Sequence, residues 1–139
     1  MTYLLDVNAL VALGFLEHEF HRRVAAWVRR LKSNGGATLA TCSITELGFV
    51  RVLTQAPQYG LGVSHARSLL LQLKRAKGVP FAFLLDDQDI SRPPGWVKTG
   101  RQITDGHLAQ LANSKGAVLA TLDKRIPGAL LIPEAKSRE

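Results

Sequence analysis

The sequence has little of what secreted and membrane proteins depend on. Its 139 residues include one cysteine, Cys42, so no internal disulfide can form, which excludes a small disulfide-stabilised secreted fold. The apolar start, residues 1–16, is interrupted by Asp6 and follows no Lys or Arg, so it does not fit a signal peptide. No run approaches the roughly 18 apolar residues that span a bilayer. We therefore expect a cytoplasmic protein with no membrane segment.

Acidic residues are scarce over much of the chain. The formal net charge is +7, from 18 Lys and Arg against 11 Asp and Glu. Between residues 22 and 85, Glu46 is the only acid, against ten basic residues. Such an excess is typical of a protein that binds nucleic acid. A solvated surface explains the composition equally well, so both interpretations stay open at this point.

Strand-like and helix-like apolar segments alternate along the chain. We predict strands at 2–5, 37–41, 81–85 and 117–122, an edge strand at 130–132, and helices at 8–16, 18–32, from 43, at 64–77 and at 105–113. This alternation predicts one α/β domain, residues 1–139, with a mainly parallel sheet and crossover helices on its faces. The unbroken apolar run at 81–85 favours a strand covered on both faces.

Polar residues mark the predicted helix starts. Ser43 followed by Glu46 has the form of a capping box, and Ser64 and Thr104 stand where a side chain can cap the next two helices. Cys42 has no evident partner base and is expected to be a small core residue.

Four acids follow apolar segments. Asp6 and Asp123 come at the ends of predicted strands, whereas Glu46 and Asp105 lie in the first turns of predicted helices. Ligands of an open parallel sheet bind outside the carboxyl ends of its strands, so we expect the four carboxylates to converge there. Singly, each acid is explained as well by a turn, a cap or the helix dipole. Together they favour one site.

Four close carboxylates repel one another unless a cation compensates them. Oxygen ligands suit Mg²⁺ or Mn²⁺, and the scattered His residues and lone Cys show no zinc-binding spacing. Asn8, Thr104 and Thr121 lie next to or two residues from the acids and are expected to orient a carboxylate or a metal-bound water. The pair His18 and His21 is interpreted as solvated.

The order of these segments resembles that of the PIN domain, most closely the small VapC-type ribonuclease toxins of toxin–antitoxin pairs. The motifs that carry the resemblance span residues 4 to 123: Leu4-Leu5-Asp6-Val7-Asn8-Ala9-Leu10, Ser43-Ile44-Thr45-Glu46-Leu47, Thr104-Asp105-Gly106-His107-Leu108-Ala109 and Leu119-Ala120-Thr121-Leu122-Asp123.

The resemblance implies an α/β/α sandwich and hydrolysis of RNA that depends on Mg²⁺ or Mn²⁺. It implies that one or two ions are held by a catalytic set of four acids, Asp6, Glu46, Asp105 and Asp123, with Asn8 and Thr121 as their polar neighbours. It also implies a homodimer inhibited by a cognate VapB-type antitoxin. In this mechanism the nucleophile is a metal-activated water.

The RNA backbone then needs a cationic surround beside the acidic pocket. Arg51, on the helix of Glu46, is a candidate phosphate contact, and so are four arginines of the preceding helix, Arg22, Arg23, Arg29 and Arg30. Trp96, in a loop, is the candidate for stacking on a base, whereas Trp27 has helical spacing and is expected in the core.

Two other functions remain open. A non-catalytic module that binds RNA or a partner is the main alternative. A haloacid-dehalogenase-like phosphatase is a distant one, because Asn8 stands where that chemistry needs a second Asp. The acids at 86–89 and the loop at 93–96 fit no motif and are interpreted as a solvated loop, a decoy or an extra metal contact. Phe15, Phe20 and Phe49 are either anchors for a partner or core.

Overall fold

The computed structural model describes residues 1–136, so the last three residues of the predicted domain lie outside the described residues. A short 3-10 turn, Gly100–Gln102, precedes the last helix. The described elements are, in chain order, β1 (Thr2–Leu5), α1 (Val7–Gly14), α2 (His21–Asn34), β2 (Thr38–Thr41), α3 (Ser43–Gln55), α4 (Val63–Arg75), β3 (Phe81–Phe83), α5 (Ile103–Ser114), β4 (Val118–Thr121) and β5 (Leu130–Leu131).

The strands form one sheet in the order β3-β2-β1-β4-β5, and every neighbouring pair is parallel. The central strand β1 pairs with β2 on one side, where Leu4 lies opposite Ala40, and with β4 on the other, where Leu4 lies opposite Leu119. The carboxyl ends of β1, β2 and β4 therefore meet at one edge. The predicted α/β fold with a parallel sheet is confirmed.

Helices cover both faces of the sheet, but unequally. On one face Leu5, Leu39 and Ala120 pack in a core with side chains from α1, α2, α3 and α4. On the other face Leu4 and Ala40 pack chiefly against α5. Because adjacent strand residues point to opposite faces, the apolar runs of β1 and β2 supply both cores. The result is the α/β/α sandwich that the resemblance implied.

Several aromatic and sulfur side chains lie where the sequence predicted. Trp27 is 5% exposed in the larger core, and Cys42 is fully buried in the smaller one. Phe49 is fully buried, so it is a core residue and not an anchor for a partner. Phe20 is 39% exposed. Among the described residues, no helix is long and apolar enough to cross a membrane.

The predicted helix caps were wrong. α3 is capped by Cys42, whose backbone N–H donates to the Thr45 hydroxyl, and Glu46 takes no part in a capping box. α4 and α5 begin after Gly62 and Gln102, so Ser64 and Thr104 lie inside the first turns. A shift of one or two residues in a helix start is enough to move a polar side chain from the cap into the helix. It leaves the carboxylate of Glu46 available to the site.

The strand predicted at 81–85 is shorter and less covered than expected. β3 ends at Phe83, which is 45% exposed, and Leu85 beyond it is 72% exposed. β3 is an edge strand, so its apolar run is not enclosed as a central strand is.

Candidate active site

Asp6 is the most buried acid of the predicted set. It follows β1 and caps α1: its Oδ1 accepts the Ala9 N–H at 2.9 Å, and its Oδ2 accepts the Thr121 hydroxyl at 2.5 Å. Burial, reinforced by the negative charges of Asp105 and Asp123, raises its pKa to about 6, although these two hydrogen bonds lower it. The structure therefore places an acid that resists ionisation at the centre of the sheet edge.

Thr121, the last residue of β4, connects two acids. Its hydroxyl donates to Asp6 and accepts the backbone N–H of Asp123 at 2.9 Å. Asp123 in turn receives two bonds from the guanidinium of Arg125, both at 3.0 Å. Hydrogen bonds from the Arg125 side chain and backbone lower the pKa of Asp123. The predicted orienting role of Thr121 thus corresponds to a direct contact with Asp6.

Asp105 approaches the same pair of acids from the first turn of α5. Burial and the charge of Asp123 raise its pKa, and the charge of Arg125 opposes them. Asp105, Asp123, Arg125 and Trp96 border a small cavity of about 160 Å³. In contrast, Thr104 is exposed and has no hydrogen bond to the acids within residues 1–136.

Glu46 lies in the first turn of α3, on the β2 side of the site. Its Oε2 accepts both the Thr41 hydroxyl and the Lys74 ammonium, each at 2.6 Å. Lys74 comes from α4, and its Nζ lies 5.6 Å from the centre of the Phe83 ring. Glu46 therefore already carries a counter-cation from the chain itself.

Sequence reasoning missed Thr41 and Lys74. A signal for Thr41 was present, because Leu39-Ala40-Thr41 at the end of β2 repeats Leu119-Ala120-Thr121 at the end of β4. Both threonines donate to an acid of the set. Nothing comparable marks Lys74, which lies 28 residues beyond Glu46 among other basic residues.

A cleft of about 600 Å³ opens over the β1 and β4 side. Asp6, Asn8 and Asp123 line it. The rest of the lining mixes cationic, acidic, aromatic and aliphatic side chains: Arg23, Lys124, Arg125, Glu19, Glu134, His18, Phe20, Leu122 and Leu131. Acids and cations therefore line the same cleft.

The oxygen atoms of the site belong to carboxylates and hydroxyls. These are the kinds of ligand that a hard divalent cation prefers. Asp6 and Asp105 have raised pKa values that a nearby cation would relieve. Within residues 1–136, however, no group of three or more His, Cys, Asp or Glu side chains is arranged to hold a metal ion. Lys74 and Arg125 engage two of the four carboxylates instead.

The arginines predicted to contact RNA divide into two groups. Arg23 lines the cleft, where it donates to the Ile132 carbonyl and pairs with Glu134 at 3.1 Å. Arg22 reaches the Lys136 carbonyl at 3.3 Å. Arg29 lines a separate cavity beside the starts of β2 and β3, and Arg30 follows it on α2. These two lie about 10 Å further along the helix than Arg23, because each residue adds about 1.5 Å.

Three further residues considered in the sequence analysis do not line the cleft. Arg51 is exposed on α3 and borders none of the cavities described. Trp96 is half-buried and packs against the core under α5. His21 does not form a solvated pair with His18, because its Nδ1 lies 2.8 Å from the Ala12 carbonyl oxygen.

The acids at 86–89 have partners of their own. Asp86 pairs with His107 at 2.5 Å, Asp87 with Lys115 at 3.4 Å, and Asp89 accepts from Ser91. Burial opposes the ionisation of Asp86, but its hydrogen bonds from His107 and Gln88 keep its pKa below the ordinary value. These contacts hold the loop against α5. The acids at 86–89 therefore stabilise the loop and are not counted with the four acids predicted to form the site.

Comparison with known proteins shows the family of the chain. The sequence profile of the PIN domain matches residues 3–129. The chain therefore belongs to the PIN domain family, within its VapC group. Ribonuclease VapC38 of Mycobacterium tuberculosis is 40% identical over 123 residues, which cover 86% of this chain and 84% of that protein. Ribonuclease VapC44 of the same organism is 35% identical over 132 residues, covering 91% and 89%.

Solved structures share the fold at low sequence identity. VapBC2 from Rickettsia felis, bound to a DNA fragment from its promoter, aligns with a TM-score of 0.57 at 15% identity, covering 94% of this chain and 96% of that one. VapC20 of Mycobacterium tuberculosis, a sarcin-ricin-loop-cleaving toxin, aligns with a TM-score of 0.58 at 13% identity, covering 94% and 98%.

Proposed function

We propose that the protein is a divalent-metal-dependent endoribonuclease and the toxin of a toxin–antitoxin pair. The observation that carries the proposal is the buried Asp6, held by Thr121 close to Asp105 and Asp123 in a cleft that basic side chains also line. Relatives of this chain at 32–40% identity are named ribonucleases of the VapC group.

Asp6, Glu46, Asp105 and Asp123 would hold one or two Mg²⁺ or Mn²⁺ ions. When bound, such an ion lowers the pKa of a water molecule and stabilises negative charge developing on a phosphate. Thr121 fixes the direction of the Asp6 carboxylate, and Thr41 does the same for Glu46. These hydroxyls reduce the freedom of the carboxylates before any ligand arrives.

Basic residues of the cleft supply the contacts for an RNA backbone. Arg23, Lys124 and Arg125 line the same cleft as the acids, and their positive charges would attract the phosphates of an RNA backbone. A water molecule activated by the bound metal ion is the nucleophile in this proposal. Asn8 supplies an amide where the phosphatase alternative needs a second acid, which argues against that alternative.

A cognate VapB-type antitoxin, a homodimer and a cytoplasmic location complete the proposal. The structural relative from Rickettsia felis is a VapBC complex. Exposed apolar side chains such as Leu16, Phe20 and Val63 offer surface that a protein partner can cover.

Cleavage of end-labelled total RNA by the purified protein tests the function. The assay compares Mg²⁺ or Mn²⁺ with EDTA, and wild type with Asp6→Ala and Asp105→Asn. Asp89→Asn is the matched control, because it also removes one negative charge but lies in the loop beside Ser91.

We expect discrete fragments that need the metal, disappear in both site variants and persist in Asp89→Asn. Folded wild-type protein that binds RNA but leaves it intact under all these conditions would favour the binding module instead. Cleavage that persists in EDTA would contradict the metal-dependent mechanism.

A further inference from the structure

The Phe20 ring is a large apolar surface that the fold leaves in the cleft. It lies between α1 and α2, is 39% exposed and, within residues 1–136, packs into neither of the two cores. It lines the cleft together with Asp6 and Asp123. Apolar surface is stabilised when it is removed from water. A ligand in the cleft can therefore gain affinity by covering this ring.

Two other side chains of the cleft border the Phe20 ring. The centre of the His18 ring lies 5.8 Å from the centre of the Phe20 ring, and the two planes are tilted by 45°. The guanidinium carbon of Arg23 lies 6.0 Å from the same ring centre, within the range of a cation–π contact. These three residues, here called the Phe20 cluster, place two rings and a planar guanidinium in one cavity.

Neighbouring groups hold the Phe20 cluster in place. His18 Nδ1 accepts the Phe20 backbone N–H at 3.0 Å, and the His18 ring stacks on Tyr59 with 6.5 Å between centres and 22° between planes. The Arg23 guanidinium pairs with Glu134 and donates to a backbone carbonyl just after β5. A preformed cluster loses little side-chain freedom when a ligand binds, which favours affinity.

The ligand chemistry that fits the Phe20 cluster is a nucleobase of single-stranded RNA. Single strands bind where bases stack on aromatic or guanidinium planes, beside positive charges that contact phosphates. The cleft offers both, because Lys124 and Arg125 line it together with the cluster. Trp96, the stacking residue predicted from the sequence, packs against the core under α5 and does not line this cleft. The aromatic surface beside these cations is therefore that of Phe20.

We propose that Phe20, with His18 and Arg23, forms a base-stacking subsite for single-stranded RNA in the cleft that Asp6 and Asp123 also line. The inference rests on the proposed function and deepens it, because it assigns the part of the RNA that the cleft recognises. A purine has a larger ring surface than a pyrimidine and stacks more strongly, so the subsite prefers purines.

The first experiment measures affinity by fluorescence anisotropy with labelled oligoadenylate and oligouridylate, each about 12 nucleotides long. EDTA is present throughout, so the result does not depend on a metal ion or on cleavage. The variants are Phe20→Ala, Phe20→Leu and Phe20→Trp. Phe83→Ala is the matched control: Phe83 is 45% exposed and lies 5.6 Å from the Lys74 ammonium, but it does not line the cleft.

We expect Phe20→Ala to bind oligoadenylate about tenfold more weakly than wild type, or weaker still, which is the loss for one base–aromatic stack. Phe20→Leu should also bind weakly, because it keeps apolar volume without an aromatic plane. Phe20→Trp should bind at least as tightly as wild type, and Phe83→Ala should match it. The salt slope should be the same in all variants, since none removes a charge. The preference for adenylate over uridylate should shrink in Phe20→Ala.

The second experiment uses inorganic polyphosphate, a chain of phosphates without bases, and measures its binding by calorimetry. Phe20→Ala should bind polyphosphate as tightly as wild type does, because the basic residues of the cleft are unchanged.

Three results would overturn the assignment. If Phe20→Ala binds oligoadenylate like wild type, RNA does not use the ring, and its exposed surface is left to a protein partner. If Phe20→Ala loses as much affinity for polyphosphate as for RNA, Phe20 acts by positioning Arg23 and not by stacking. If Phe20→Leu keeps full affinity, apolar volume is sufficient. Should circular dichroism show that Phe20→Ala is unfolded, the comparison of Phe20→Leu with Phe20→Trp decides.

The failure of this inference differs from the failure of the proposed function. Wild-type protein that cleaves RNA while Phe20→Ala binds it like Phe83→Ala contradicts only the stacking assignment. Wild-type protein that binds RNA through Phe20 without cleaving it supports the subsite and contradicts the ribonuclease. Wild-type protein that binds no RNA contradicts both.

Discussion

The two sides of the site use the same local chemistry but differ in charge balance. On each strand that flanks β1, a Leu-Ala-Thr sequence ends with a threonine that donates to an acid, Thr41 to Glu46 and Thr121 to Asp6. On the β2 side Lys74 neutralises that acid. On the β4 side no cation within residues 1–136 contacts the Asp6 carboxylate, and burial together with two further acids raises its pKa. The β4 side is therefore where an added cation stabilises the protein most.

The largest difference between the two sides should appear when each threonine loses its hydroxyl. Thr121→Val removes one contact from Asp6 and another from the Asp123 backbone, so we expect RNA cleavage to fall about 10- to 100-fold. Thr41→Val leaves Glu46 with Lys74, and its effect should stay below about tenfold. Single-turnover cleavage rates measure both. Equal losses would mean that the two sides are equivalent.

Replacing Asp6 by Asn should stabilise the metal-free protein above neutral pH. The pKa of Asp6 is raised from 3.8 to about 6 on folding, so the wild type loses stability as the pH rises between these values. The free energy of unfolding of Asp6→Asn should exceed that of wild type by about 2 to 3 kcal/mol above about pH 7, with the difference vanishing below about pH 4.

Urea denaturation in EDTA across this pH range measures the difference. A constant difference at all pH values would show that Asp6 ionises in the folded protein as it does in the unfolded chain. Glu46→Gln serves as the comparison from the β2 side, where the neighbouring Lys74 gives no reason for stabilisation at high pH.

A smaller effect is expected from replacing Gly106, the glycine that lets α5 pack closely against the loop that contains Val97. A Cβ added at Gly106 would lie 2.3 Å from the Val97 Cγ2 atom. Gly106→Ala should therefore lower the free energy of unfolding by about 1 to 3 kcal/mol. The double variant Gly106→Ala with Val97→Ala should recover part of the loss. Thermal unfolding tests this, and an unchanged melting temperature in the single variant would contradict the close packing.

Much of the fold was predictable because the strands are short apolar runs that end at acids. Asp6 and Asp123 could be placed at the sheet edge from their position after β1 and β4. Which end of α2 lies at the cleft was not predictable. The direction of this helix relative to the sheet places Arg23 in the cleft and Arg29 outside it. A periodic pattern identifies the buried face of a helix and leaves open which end meets the site.

Pairings between distant segments also could not be predicted from the sequence. Lys74 contacts Glu46 across 28 residues, and His107 meets Asp86 across 21, in each case because of how helices pack on the sheet. The capping motif at Ser43 and Glu46 misled for a related reason. A local pattern gives Glu46 a helix-start role, whereas the tertiary contacts with Thr41 and Lys74 give it a place in the site.

Locating a metal ion tests the central claim most directly. Crystals grown with Mn²⁺ and measured at its absorption edge would show where the cation binds through its anomalous signal. We expect a peak bounded by Asp6, Asp105 and Asp123. A peak only at the acids of the 86–89 loop, or none at saturating Mn²⁺, would contradict the account.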